Sequence, residues 1–159
     1  MLDEKQISEL SPFIDAAGFI FHAKSDRFCT KKVSSNGLIR VGVFVNKTIK
    51  EIKETIEEHN LTMIQLHGDE TPQFCKRFES YCKVIKVFNI SKDFDFEKLS
   101  PFEEVCDYFL FDTKGNSYGG SGIKFNWEIL KKYNSKKYFF LSKKINKKNK
   151  KKIKKIKKK

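Results

Sequence analysis

One acidic residue, Asp112, stands where an apolar segment gives way to a polar, glycine-rich one. Residues 108–111 are apolar or aromatic, and four glycines lie between Asp112 and Trp127. Burial against an apolar wall can raise the pKa of a carboxyl group, which could then serve as a general acid. The alternative is a structural cap, in which Asp112 bonds the backbone of Lys114 or Gly115, as Asp often does in turns.

Three further groups could bind a ligand. Gly119, Gly120 and Gly122 would let backbone N–H groups approach it closely, although "GGSG" is not a phosphate-binding P-loop and a plain flexible loop is the alternative. His67, in "QLHGDE", could polarise a substrate or simply bond a backbone carbonyl. Arg27, in "KSDRF", could pair with a carboxylate in a bidentate fork or remain a solvated surface residue.

Alternating strand-like and helix-like segments must position these residues. Thr71 is a plausible helix N-cap and Pro72 a plausible first helical residue. The apolar runs are nearly continuous, which favours strands covered on both faces, as in a parallel sheet. We predict strands at residues 16–21, 40–45, 63–66, 84–88, 108–111 and 138–141, and the clearest helices at 48–59, 72–81 and 127–133.

This alternation predicts an α/β fold, either an open doubly wound sheet or a barrel. The GxGxxG sequence of a dinucleotide-binding sheet is absent after the first predicted strand. Polar residues instead follow several strands, including Arg27, Asn46, His67 and Asp112. Because barrel enzymes carry their sites at the carboxyl ends of the strands, this distribution favours the barrel.

The charge of the chain is concentrated in its last residues. The chain has 159 residues and a net charge of +13, and residues 143–159 contribute 12 lysines and no acid. The remainder carries 21 basic and 20 acidic residues, a net charge of +1, so its composition gives no reason to expect nucleic-acid binding. Nucleic acid is therefore expected only as a non-specific partner of residues 143–159, which we predict to be a helical or disordered tail.

The spacing of the cysteines and the length of the apolar runs exclude further classes of protein. Cys29, Cys75, Cys82 and Cys106 show no metal-binding spacing, so we expect reduced thiols in a cytoplasmic protein and no metal. No apolar run approaches the roughly 20 residues of a membrane span, so we expect no membrane partner.

Four motifs together resemble one family, the phosphoribosylanthranilate isomerases of tryptophan biosynthesis. They are "AGFIFHAKSDRF", "RVGVFVN", "IQLHGDE" and "FLFDTKGNSYGGSGIKFNW", and "FFLS" resembles the start of the family's seventh strand. The resemblance covers residues 1 to about 142. It implies a (βα)8 TIM barrel, incomplete here with strands 2–7 present and strands 1 and 8 missing, in a monomer or homodimer.

The family performs an Amadori rearrangement of a small phosphosugar that carries an anthranilate ring, without a cofactor. By resemblance, Asp112 matches the general acid that opens the ribose ring, and Arg27 matches the arginine near the anthranilate carboxylate. Gly119, Gly120 and Gly122 match the loop that closes over the substrate, beside which His67 is a further candidate substrate-binding residue.

Two features depart from the family pattern. The general base of the family is a cysteine in a Lys-x-Cys-Gly segment, and none of the four cysteines matches it. Lys143 and Lys144 stand where the family has the Gly-Gly of a phosphate-binding loop. We therefore expect this chain to be inactive alone. Because a barrel that lacks strands 1 and 8 cannot close, we also expect it to fold poorly. A fragment or altered reading frame, a non-catalytic protein with a basic tail that binds polyanions, and a split enzyme all remain open.

A second barrel enzyme remains an alternative to the isomerase. The family of indole-glycerol-phosphate synthase also binds a phosphosugar, but it uses lysine and glutamate catalysis. No matching set of residues follows the predicted strands, so the isomerase is the preferred assignment.

Overall fold

Six parallel strands form one sheet whose spatial order follows the order along the chain. The computed structural model describes residues 9, 11–30, 37–112 and 127–142. The strands are β1 (Ala16–Ile20), β2 (Ile39–Phe44), β3 (Met63–Leu66), β4 (Lys83–Asn89), β5 (Tyr108–Asp112) and β6 (Phe139–Ser142). Each strand pairs in parallel with the next along the chain. An α/β sheet wound in one direction is the wall of a barrel, because a doubly wound sheet reverses its strand order.

Helix α1 (Ile49–His59) connects β2 to β3 and carries signals at both ends. Thr48 accepts a hydrogen bond from the Glu51 N–H, and the Glu51 side chain accepts one from the Thr48 N–H, which is a capping box. The helix ends at Asn60, which adopts the left-handed conformation with φ 47°. Ile52 and Ile56, four residues apart on one face of the helix, are buried in the apolar core.

Helix α2 (Pro72–Lys76) is shorter than the predicted helix at 72–81. Thr71 caps it and Pro72 opens it, as predicted. The chain then tightens, because the Arg77 and Phe78 N–H groups bond carbonyls three residues back rather than four. This tighter turn places the Phe78 side chain, which is fully buried, in the core.

The second half of the sheet is covered by 3-10 turns and aromatic rings. The turns span Phe96–Phe102 and Trp127–Lys132, so the predicted helix at 127–133 is a 3-10 helix. The rings meet mostly edge to face at centroid distances of 4.9–5.9 Å around Phe111, an arrangement that suits aromatic quadrupoles. In this half of the sheet, aromatic side chains and short 3-10 turns pack around Phe111 of β5.

The prediction that both faces of the strands are covered holds for β4, where residues 84–87 are all buried, but not for β3 and β5. In β3 and β5, fully buried residues alternate with half-buried ones. Ile64, Leu66, Phe109 and Phe111 lie against the helices and are at most 1% exposed. Since successive side chains of a strand point to opposite faces, the half-buried residues form the concave face of the sheet.

Candidate active site at the carboxyl ends of the strands

Asp112 and His67 meet at the carboxyl edge of the sheet. Asp112 is the last residue of β5, and His67 directly follows β3. His67 Nε2 lies 3.6 Å from Asp112 Oδ2, and the two side chains are 30% and 29% exposed. This distance is that of an ion pair when the imidazole is protonated, and it exceeds hydrogen-bond length. An acid and an imidazole, both partly open to solvent, therefore lie side by side.

The backbone of Asp112 is fixed by its neighbours on both sides. Asp112 is in register with Asn89 of β4 and with Ser142 of β6. Its carbonyl oxygen accepts a hydrogen bond of 2.7 Å from the Ile90 N–H. Phe111, immediately before it, is 1% exposed in the core. The backbone of Asp112 is thus part of the sheet ladder.

A buried ion pair lies behind His67. Lys86 of β4 and Glu70, which follows β3, are joined by a contact of 3.0 Å between Nζ and Oε2, with side-chain exposures of 4% and 2%. Lys86 also donates to the carbonyls of Leu66 (3.3 Å) and Gly68 (2.8 Å). Glu70 accepts hydrogen bonds from the N–H groups of Asn46 and Gly68. Every ammonium proton and both carboxylate oxygens of this ion pair therefore have partners.

Asn46 connects this arrangement to β2. It adopts φ 49°, a conformation that Asn tolerates better than most residues. Its side chain accepts a hydrogen bond of 2.7 Å from the Asp69 N–H and donates one of 3.3 Å to Asp69 Oδ2. Gly68 lies so close that an added Cβ would be 2.1 Å from Asn46 Oδ1. Hydrogen bonds between Asn46 and Asp69 therefore join the segments that follow β2 and β3, next to His67.

Lys86 and Glu70 are the important residues that our sequence analysis missed. Glu70 lies within the quoted "IQLHGDE", but we gave it no role. Lys86 carried a visible signal, since a lysine inside the apolar segment "KVIKVFN" requires a buried partner. The sequence could not show which acidic residue is the partner of Lys86.

Arg27 is held near the same edge, in the loop after β1. The Cys29 N–H bonds the Ile20 carbonyl at 2.7 Å, and the Arg27 N–H donates to Ser25 Oγ at 3.2 Å. The Arg27 side chain is exposed, and among the described residues it forms no ion pair. The structure therefore does not bring Arg27 into contact with His67 or Asp112. Gly119, Gly120, Gly122 and the lysine-rich residues 143–159 lie outside the described residues.

The four cysteines form no disulfide with one another, and all belong to the apolar core or pack against it. A hydrogen bond between Cys75 and Cys106 lowers the pKa of Cys75, and this bond together with burial raises the pKa of Cys106. Burial, with the charge of Asp107, raises the pKa of Cys82 to about 11. At neutral pH, Cys82 and Cys106 are therefore protonated thiols.

Within the described ranges, no three His, Cys, Asp or Glu side chains are grouped so as to hold a metal ion, and no helix is long and apolar enough to cross a membrane.

Comparison with known proteins identifies the family to which this chain belongs. The family model described as N-(5'-phosphoribosyl)anthranilate (PRA) isomerase matches residues 3–158. The chain belongs to the phosphoribosylanthranilate isomerase family. This result confirms the family predicted from the motifs, and the members of this family are isomerases of tryptophan biosynthesis.

Individual relatives agree with the family model. The chain is 44% identical over 131 residues to N-(5'-phosphoribosyl)anthranilate isomerase of Phocaeicola vulgatus, a match that covers 80% of this chain and 64% of the relative. A relative from Parabacteroides distasonis is 39% identical over 152 residues, which cover 89% of this chain and 69% of the relative. The chain thus spans about two thirds of the length of the curated relatives it matches.

The solved structures show the same fold. The crystal structure of phosphoribosyl anthranilate isomerase from Thermotoga maritima superimposes with a TM-score of 0.77 at 30% identity, covering 94% of this chain and 76% of that chain. The six-stranded sheet is therefore an α/β wall like that of the family's barrel.

Proposed function

We propose that this chain carries the general acid of a phosphoribosylanthranilate isomerase site but not its general base. The observation that carries the proposal is the Asp112–His67 pair, which lies at the carboxyl edge of the sheet in a chain of this family. The reaction is the Amadori rearrangement of N-(5'-phosphoribosyl)anthranilate to 1-(2-carboxyphenylamino)-1-deoxyribulose 5-phosphate. The six strands would then correspond to strands 2–7 of the barrel.

Asp112 is proposed as the general acid. It would donate a proton to the ribose ring oxygen, and the sugar would open to a Schiff base. A general acid in the correct position accelerates such a step by about 10²–10⁴-fold. His67 lies 3.6 Å from the same carboxyl group, so it would contact the substrate beside the proton donor and orient the acid.

The remaining roles are assigned by resemblance and extend this proposal. Arg27 would bind the anthranilate carboxylate through its guanidinium, for which an exposed side chain on a fixed loop is suitable. Gly119, Gly120 and Gly122 would form the loop that closes over the substrate. The partial barrel domain at residues 1–142, the separate tail, the cytoplasmic location and the monomer or homodimer also stay predictions.

The rearrangement also needs a base that removes the C2′ proton, and we propose that this exact chain does not supply one. The family's base is a cysteine. All four cysteines here belong to the core or pack against it, and Cys82 and Cys106 have raised pKa values. A buried, protonated thiol is a poor base. We therefore expect the 159-residue chain to lack isomerase activity by itself.

Complementation of a tryptophan auxotroph tests both parts of the proposal. The exact chain should fail, whereas the chain joined to a Lys-x-Cys-Gly strand and to a family-type C-terminal end should succeed. In that extended protein, Asp112→Asn should lower kcat by about 10²-fold or more. The matched control is Asp107→Asn, which changes a carboxylate at the opposite end of β5 and should retain activity. An extended protein whose activity survives Asp112→Asn would refute the assignment of the acid.

A further inference from the structure

The buried ion pair behind His67 holds the backbone on both sides of that residue. Lys86 Nζ donates to the carbonyl of Leu66, the residue before His67, and to the carbonyl of Gly68, the residue after it. The Gly68 N–H, which belongs to the same peptide group as the His67 carbonyl, donates to Glu70 Oε2 at 2.9 Å. Both peptide groups that follow the imidazole-bearing residue are therefore bonded to a buried charge.

The remaining backbone group of His67 is fixed by the neighbouring strand. The His67 N–H donates to the Phe44 carbonyl at 2.8 Å. Asn46, two residues after Phe44, donates its N–H to Glu70 Oε1 at 3.0 Å. The ion pair thus also fixes the end of β2 against the turn that carries His67. Rotation of the His67 backbone would break charge-assisted hydrogen bonds in the interior, which are stronger than neutral ones.

This arrangement is better suited to positioning than to stability. Bringing two charges out of water costs about as much as their attraction returns, so an apolar pair of similar volume would often be equally stable. Apolar side chains could not provide the two ammonium donors that bond the carbonyls of Leu66 and Gly68, nor the two carboxylate oxygens that accept from the Gly68 and Asn46 N–H groups. We propose that Lys86 and Glu70 are positioning residues that keep the His67 imidazole beside the Asp112 carboxyl group, an inference that rests on the proposed function of that pair.

The test measures the contact between His67 and Asp112 directly, without catalysis. In the exact chain, the His67 Hε1 resonance is assigned with His67→Gln and followed by NMR at one fixed pH. Asp112→Asn should shift this resonance in the otherwise unchanged chain. In the E70Q/K86M background, which removes both charges and keeps similar volumes, the shift caused by Asp112→Asn should fall to less than about half. Comparing the two shifts removes the direct effect of the lost charges on His67.

The matched control is K83M/D107N. Lys83, at the amino end of β4, and Asp107, directly before β5, form a more exposed ion pair of 2.7 Å, and the substitutions remove one ammonium and one carboxylate as in E70Q/K86M. In this background, the effect of Asp112→Asn on His67 should equal that in the parent. His22 and His59 provide internal reference signals, and circular dichroism checks the fold. If E70Q/K86M does not fold, the isosteric Glu70→Gln replaces it with the same expectation.

The outcomes separate this inference from the proposed function. An undiminished response of His67 in the folded E70Q/K86M or Glu70→Gln background would overturn the positioning role, and so would an equal loss in the control. Failure of complementation by the extended enzyme would count against the proposed function and leave the NMR result intact. In an extended enzyme that is active, E70Q/K86M should lower kcat by about 10-fold with a smaller change in KM, since ground-state binding by Arg27 is untouched.

Discussion

Gly68→Ala should be among the most damaging single-methyl changes in this chain. The added Cβ would lie 2.1 Å from Asn46 Oδ1, 2.6 Å from Asn46 Cγ and 2.8 Å from Glu70 Oε1. The Asn46 side chain would have to leave, losing two hydrogen bonds to Asp69, each with a net value of about 1 kcal/mol. Displacing the buried Glu70 carboxylate adds about 1–3 kcal/mol. We therefore expect the free energy of unfolding to fall by about 3–5 kcal/mol.

Urea denaturation measures this loss. With an m-value of about 2 kcal/mol/M, the midpoint should fall by about 1.5–2.5 M. Gly18→Ala is the control, since its Cβ would meet only Val43 Cγ2 at 3.9 Å and should leave stability within about 1 kcal/mol of the parent.

A double-mutant cycle tests the cause of the loss. In an Asn46→Gly background, which permits the positive φ and removes the obstructing side chain, Gly68→Ala should cost at least about 1 kcal/mol less. A loss below about 1 kcal/mol in the parent, or full additivity in the cycle, would refute the steric argument.

Two further perturbations have expected outcomes. Hydrogen bonds from Lys47 and Thr48 lower the Glu51 pKa from 4.5 to about 2. The carboxylate therefore stabilises the fold above the unfolded-state pKa, and this contribution is lost as the pH falls through about 2. Urea denaturation measures the difference in the free energy of unfolding between the parent and Glu51→Gln. This difference should be constant above about pH 5 and vanish near pH 2, and a difference that does not depend on pH would contradict this expectation. Thiol alkylation at pH 7.5 should be slow in the folded chain and rapid in urea, because the cysteines are buried or, for Cys82, have a pKa raised to about 11. Rapid labelling of the native protein would contradict the described packing.

The strands were predictable because each is a short apolar run between polar residues. All six predicted strands exist, and none of their ends differs by more than one residue from the prediction. The sequence of Thr71 and Pro72 likewise predicted the start of α2. Its early end was not predictable, because the position of Phe78 in the core, not helix propensity, determines where the helix tightens.

The candidate site was predictable only in part. His67 and Asp112 were each proposed from their position after a strand, but either could equally have been a local cap. Their contact depends on the parallel pairing of β3, β4 and β5, which brings residues 45 positions apart to one edge. The same pairing joins Lys86 to Glu70, and no local pattern identifies that partner.

The ion pair also limits where this polypeptide can be cut. Its hydrogen bonds involve the segment after β2, the turn after β3 and the middle of β4, so three successive βα units share one buried charge cluster. A circular permutation that opens the chain between residues 46 and 86 would separate members of this cluster. A fragment exchange with a boundary in the same range would combine Lys86 or Glu70 with residues of another protein that do not complete its hydrogen bonds. Whole-unit recombination should therefore treat residues 39–89 as one indivisible block.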